Sequence, residues 1–202
     1  QELIRSLSGE IATEFLKRLD EEKPFDDLIK LATLTASHLI EKNNESEAID
    51  LLVELDLMDE IKGFCKEDNY KKICQYLLAL SNYAAESTEQ KKMLEIVYEL
   101  YNKYNQYTEA IRVAIKLKES LYIKSTLLNC SSYATQLQMA YILARSKVYI
   151  ESDSLKEELS EIIKNKNLSN LYKQLSRTID IAEPKNPEDV FKSHLEEKKD
   201  GI

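Results

Sequence analysis

The sequence predicts an all-α protein, a right-handed array of antiparallel helical hairpins of the α-solenoid type, and three observations carry that expectation. Apolar residues recur at helical spacing along most of the chain. With 3 Gly and 3 Pro in 202 residues there are few places for tight turns or β-hairpins. The chain also repeats itself: "NNESEAIDLLVELD", from Asn43 to Asp56, returns 62 residues later as "NQYTEAIRVAIKLK", from Asn105 to Lys118. Self-similarity of this kind marks units that bury their apolar faces only against one another.

The elements follow in order. The first helix is expected from Glu2 to Leu19, with Leu3, Leu7, Ile11 and Phe15 at four-residue steps. Asp20 to Pro24 breaks it, and Pro24 stands at or just before a second helix reaching to about Lys42. Ser46 is the expected cap of the first echo helix, and Asp59 to Cys65 a short partner. Asp68 is the expected cap of a helix whose stripe includes Ile73, Leu77 and Leu80. Ser87 and Gln90 form a capping-box pattern ahead of Met93, Ile96, Val97, Leu100, Tyr101 and Tyr104. Thr108 is the cap expected for the second echo helix, followed by helices around Tyr122–Leu128 and over "TQLQMAYILARS". Ser154 and Glu157 make a second capping box before Leu155, Leu159, Ile162 and Ile163, and Leu168–Ile181 continues the pattern.

On this reading residues 1–181 form a helical-repeat arm with one continuous core. Residues 182–202 form a proline-containing connector, with Asn186 and Pro187 as cap and first turn of a terminal helix and a charged tail.

The echo separates what the fold needs from what it does not. Glu47, Ala48, Ile49 and Leu55 recur as Glu109, Ala110, Ile111 and Leu117, whereas Asp50, Glu54 and Asp56 are replaced by Arg112, Lys116 and Lys118. Ala48, Leu51, Leu52 and Leu55 fall at i, i+3, i+4 and i+7, as do Ala110, Val113, Ala114 and Leu117. Each alanine is small enough for a close helix crossing, and the Asn shortly before it can end the preceding helix in a left-handed conformation. Counting short segments, four helices are expected between the copies, which would put both at one phase of the array.

Composition narrows the function. A chain of this length removes roughly 70% of its unfolded surface from water, so core size is not limiting. The longest apolar runs fall far short of a membrane span and "QELIRSLSGE" is no signal peptide, so a soluble, intracellular protein is expected. Cys65, Cys74 and Cys130 are odd in number and lack C-x-x-C spacing, the pattern of buried, reduced thiols rather than a disulfide framework or zinc site. The net charge of -8 disfavours a nucleic-acid binder.

Catalytic, cofactor and small-molecule sites are not expected. His38, read as partly buried in a helix, and His194, read as a surface residue, are the only histidines and have no catalytic companions at recognisable spacing. The glycine motifs of phosphate loops, dinucleotide folds and hydrolase elbows are missing. The 12 tyrosines sit mostly at helical spacing with aliphatics, as Tyr98, Tyr101 and Tyr104 do, and read as core or rim. What remains is the acidic stretch from Glu41 to Asp68, with ten acidic and three basic side chains. Its members Asp50, Glu54, Asp56, Asp59 and Glu60 read either as a solvated helix face or as a surface for a basic partner.

Several stretches together resemble one family. "LSGEIATEF", "SEAIDLLVELDLMDEI", "QMAYILARSKVYIE" and above all "DIAEPKNPEDVFKSHLEEKKDG" are similar to regulatory-particle non-ATPase subunit one of the 26S proteasome, the smaller base scaffold with proteasome/cyclosome repeats. The family pattern favours glycine where Ala144 stands, histidine at Ser146 and glycine at Lys147, so a differently built turn is expected there. The resemblance implies an excised fragment N-terminal to the repeat toroid. It implies a non-catalytic scaffold, cytoplasmic and nuclear, without metal or cofactor. Expected partners are the coiled coil of the proteasomal ATPase subunits and other regulatory-particle subunits, with ubiquitin and ubiquitin-like docking mainly outside this stretch. The alternative reading is a tetratricopeptide-like adaptor that binds a peptide in its groove.

Overall fold

The computed structural model describes residues 2–150, 155–164, 174–175 and 177–179. Every regular element among them is helical. The chain divides into two compact units, Gln1–Leu117 and Lys118–Ile202. The expected boundary between 181 and 182, the terminal helix, Ser154 and His194 lie outside the described residues, as does most of Leu168–Ile181.

The first unit contains α1 (Glu2–Asp20), α2 (Asp26–Glu41), α3 (Glu45–Glu54), a 3-10 turn (Met58–Glu60) running into α4 (Ile61–Phe64), α5 (Tyr70–Leu80), α6 (Ser87–Lys103) and α7 (Tyr107–Leu117). Ile11, Phe15, Leu28, Ala32, Leu51 and Leu55 form a cluster shared by α1, α2 and α3, with Leu7, Phe25 and Leu57 packed against it. Leu3, expected in the α1 stripe, is 83% exposed: the cluster begins at Leu7, and the first turn of α1 reaches beyond it. Phe25 precedes α2 as its N-cap residue and meets Phe15 edge-on, ring centroids 5.1 Å apart, which sets the turn introduced by Pro24.

Three-residue connections fold α3 back on α2 and α7 back on α6. Both turns are made by the asparagines the echo singles out. Asn43 (φ 59°) and Asn105 (φ 56°) are left-handed. The next amides close the helix ends, Asn44 N–H donating to Leu39 O at 2.9 Å and Gln106 N–H to Tyr101 O at 2.8 Å. Asp56 (φ 53°) and Lys118 (φ 58°), again 62 residues apart, follow the ends of the two echo helices in the same conformation. The 3-10 turn and α4 are one continuous stretch, so three helices rather than four separate α3 from α7. Three intervening helices make each the second helix of its hairpin, as four would not, so the shared phase holds although both the count and the parity argument behind it fail.

The helix starts differ from those expected. Ser46 and Thr108 each occupy the second position of their helix rather than capping it. Asn69, not Asp68, precedes α5, and its carboxamide ties the turn together by accepting from Lys66 N–H at 2.8 Å and donating to Phe64 O at 3.2 Å. The Ser87–Gln90 box does not form, because Gln90 Nε2 donates instead to Ser81 O at the end of α5, at 2.8 Å. In each case the preceding turn fixes where the helix begins, and the side chain that could cap is inside it or bonded elsewhere.

The core is that of the expected stripes. Ile73, Cys74 and Leu77 of α5 and Val97 of α6 are fully buried, while Leu80 is only partly so. Tyr98 and Tyr101 are buried, and Tyr104 lies at the rim, stacked on Tyr70 at 4.2 Å with its hydroxyl donating to Cys65 O. All three cysteines are free and buried. Desolvation pushes the Cys65 thiol up to about 11 and Cys74 up to about 12, so both stay protonated near neutral pH.

The second unit holds α8 (Ser120–Asn129), α9 (Tyr133–Arg145) and α10 (Glu157–Ile163). Met139, Ala140 and Leu143 of α9 and Leu159 and Ile163 of α10 are buried where the two helices pack. Tyr133 adds a hydroxyl bond to Glu158, and Lys156 Nζ lies 4.2 Å from its ring centroid. Helix α9 ends at the turn where the family pattern departs, and Lys147 there is left-handed (φ 55°), with Val148 N–H donating to Leu143 O at 3.1 Å. A Cβ is unfavourable in that conformation. Lys147→Gly is therefore expected to stabilise the chain by about 1 kcal/mol, after allowing for the looser unfolded chain. Lys147→Ala should not, and denaturation midpoints of the two variants check this.

Candidate interaction surface

The acidic residues are distributed over two places in the first unit. Glu47, Asp50 and Glu54 share one face of α3 at i, i+3 and i+7. They line one wall of an open groove of about 520 Å³, whose other wall is Arg5, Ser8 and Gly9 of α1. Arg5 lies 2.6 Å from Glu47 Oε1, and that hydrogen bond raises the arginine's pKa. The second Glu47 oxygen is shielded from solvent and has no hydrogen-bond partner among the described residues. Asp50 accepts from the Tyr76 hydroxyl of α5 at 2.7 Å. Desolvation and this bond push the Tyr76 hydroxyl up to about 12. Glu54 is exposed and has no ion-pair partner among the described residues.

Asp56 and Asp59 stand elsewhere, around the 3-10 turn. Lys92 of α6 lies 3.3 Å from Asp56, and Lys62 lies 3.7 Å from Asp59 and 2.6 Å from Glu99. The hydrogen bond to Glu99 raises the Lys62 pKa against the desolvation that lowers it, and Asp59 adds a smaller upward push. These carboxylates are 74% and 95% exposed, so the pairs contribute little to stability, but they do offset the local charge. Glu60 is exposed and has no ion-pair partner among the described residues. The structure thus groups Asp50 with Glu54 along the α1–α3 groove, and Asp56 with Asp59 in a small cleft beside Lys62, Lys92 and Glu99, and neither lining includes Glu60. Sequence reasoning missed Glu47 and Arg5. The spacing of Glu47 from Asp50 and Glu54 was a usable signal; the approach of Arg5 from another helix was not.

A second, more apolar groove runs between α1 and α2, lined by Ile4, Leu7, Leu34, Thr35 and His38. His38 is exposed, not partly buried. The inward stripe of α2 is Leu28, Ala32, Thr35, Ala36 and Leu39, which places His38 with Leu34 on the outer side. Among the described residues no three His, Cys, Asp or Glu side chains gather as metal ligands, and no helix is long and apolar enough to cross a membrane. Chemically, this is a surface that can make ion pairs and hydrogen bonds with another macromolecule.

The comparisons with known proteins agree over nearly the whole chain. The family described as the RPN1 N-terminal domain matches residues 1–196. The chain is 35% identical over 201 residues to the 26S proteasome regulatory subunit rpn1 of Schizosaccharomyces pombe, covering 100% of this chain and 22% of that protein. It is 33% identical over 201 residues to the 26S proteasome non-ATPase regulatory subunit 2 homolog A of Arabidopsis thaliana, covering 96% and 22%. A more distant match, 22% identical over 189 residues, is the 26S proteasome regulatory subunit RPN1 of Encephalitozoon cuniculi, covering 94% and 22%. The chain spans about a fifth of the length of these relatives.

Proposed function

Since the chain belongs to the RPN1 N-terminal domain family, we propose that it is a non-catalytic scaffold segment of the 26S proteasome base, serving ubiquitin-dependent degradation through protein–protein contacts. The match over residues 1–196, together with relatives named as proteasome regulatory subunits, carries this reading. The same matches disfavour an unrelated tetratricopeptide-like adaptor. The partners are the coiled coil of the ATPase subunits and other regulatory-particle subunits, and the site of action is the cytoplasm and nucleus.

Within this role the acidic side chains Asp50, Glu54, Asp56, Asp59 and Glu60 meet a basic surface of the partner. Glu54 and Glu60, which lack an ion-pair partner among the described residues, are the ones most available to it. Co-purification of the chain with paired ATPase coiled coils tests the role: a complex that weakens as salt rises is expected. Replacing Asp56, Asp59 and Glu60 by Lys should slow association while leaving helicity unchanged. Failure of any regulatory-particle subunit to bind would overturn the scaffold reading, and unchanged rates for the triple variant at two salt concentrations would remove the acidic surface from it.

A further inference from the structure

Helix α1 carries a second stripe that its own fold does not bury. Leu7, Ile11 and Phe15 belong to the core cluster. Arg5, Gly9, Ala12, Leu16 and Leu19 follow one another at alternating steps of four and three residues, the spacing of a helix–helix seam. Leu16 and Leu19 are 57% and 53% exposed, Gly9 is exposed and Ala12 half-buried. Gly9 stands inside the helix, where glycine is weaker than alanine, and a Cβ added there would meet nothing within 4 Å. The chain's own packing therefore does not require the gap.

The stripe also runs beside charge of one sign. Arg5 and Gly9 belong to one wall of the open groove whose other wall carries Glu47, Asp50 and Glu54 of α3. Arg5 meets Glu47 at Oε1, while Oε2 is shielded from solvent and has no hydrogen-bond partner among the described residues. Glu54 is exposed and has no ion-pair partner among them. The groove thus holds more carboxylate than its one arginine neutralises.

We propose that this face of α1 is a docking seam for one partner helix, apolar along a heptad stripe and rich in lysine or arginine along the flank that meets α3. This rests on the scaffold reading above and specifies the partner's chemistry and the side of the first unit it approaches. Gly9 and Ala12 let the partner's backbone come close, and Leu16 and Leu19 bury against its apolar stripe. Asp50, Glu54 and the unpaired oxygen of Glu47 accept from its basic side chains. A helix with neutral or acidic flanks would cover the same leucines but leave the carboxylates of α3 desolvated and unpaired, and this selects the basic one.

Three synthetic helical peptides test this. One has leucines at heptad spacing flanked by lysines, the second has those lysines changed to glutamates, and the third shuffles the residues of the first so that no stripe remains. Binding to the whole chain, followed by fluorescence anisotropy, should favour the lysine-flanked stripe over either of the others by about ten-fold at low salt. Its advantage over the glutamate peptide should narrow at high salt. Gly9→Leu should raise the melting temperature of the chain yet weaken that peptide about ten-fold, by filling the seam. Leu16→Ser combined with Leu19→Ser should weaken it similarly with helicity unchanged by circular dichroism, whereas Leu34→Ser, on the outer side of α2, should not. Glu54→Lys should reduce the preference for lysine over glutamate flanks. Equal binding of the three peptides, or a preference that survives both the Gly9 change and the paired leucine changes, would overturn the proposal. So would self-association of the chain that the paired leucine changes abolish, since the occupant would then be a second copy. If ATPase coiled coils co-purify equally with the parent and the paired leucine variant, the seam fails and the scaffold reading stands. If the peptide preference holds and follows the variants but no regulatory-particle subunit binds, the reverse is true.

Discussion

Leu77→Ala is expected to lower the stability of the chain by about 3 kcal/mol, the loss for a fully buried leucine whose surroundings cannot collapse into the space it leaves. Leu77 is completely buried on α5, with Ile73 and Cys74 equally buried on the same stripe. Helix α5 packs against both α3 and α6, so moving it to fill a cavity on one side would open one on the other. Denaturant unfolding of the variant beside Leu34→Ala provides the contrast. Leu34 is 69% exposed, and its truncation should change stability by no more than about 0.5 kcal/mol. Equal midpoints for Leu77→Ala and the parent would mean that α5 is not the central element this packing makes it.

Features that depend on one helix's own periodicity were legible in the sequence. Ile11 and Phe15, Ile73 and Leu77, and the Met93–Tyr101 stripe are buried as their spacing requires, because a helix can hide only one face and the apolar residues mark it. The turns after α2 and α6 were legible for a related reason: Asn tolerates the left-handed conformation better than other non-glycine residues, and both copies place it at the same point. Helix starts were less legible. Ser46 and Thr108 are good caps by type, but the left-handed turns before them reverse the chain too early for either to cap.

The candidate surface was legible as composition and in the spacing of Glu47, Asp50 and Glu54 on α3, but not in its pairings. The partners of its charges come from far along the chain, Lys92 to Asp56, Tyr76 to Asp50 and Arg5 to Glu47, and no local pattern encodes those meetings. His38 shows the same limit, since its exposure depends on which side of α2 faces α1 and α3.

Ala48→Leu and Ala110→Leu test whether the echo is a packing motif, and each is expected to cost about 1 to 3 kcal/mol through overpacking. Both alanines are completely buried, in α3 and α7, the helices that pack closely on α2 and α6. A leucine at either site must displace the facing helix or leave its rotamer, and the three-residue turns at Lys42–Asn44 and Tyr104–Gln106 leave little slack for displacement. Charge reversal on the same two helices should behave differently. Glu54→Lys or Lys116→Glu should shift stability by no more than a few tenths of a kcal/mol, because both side chains are exposed. Thermal melts of the four single variants separate the two demands. Large, similar losses at Ala48 and Ala110 with small changes at Glu54 and Lys116 would show that the apolar half of the echo serves the array and leaves the polar half free to vary. If neither alanine variant melts below the parent, the close helix crossings inferred from the echo do not exist, and the recurrence of Ala48 as Ala110 needs a different cause.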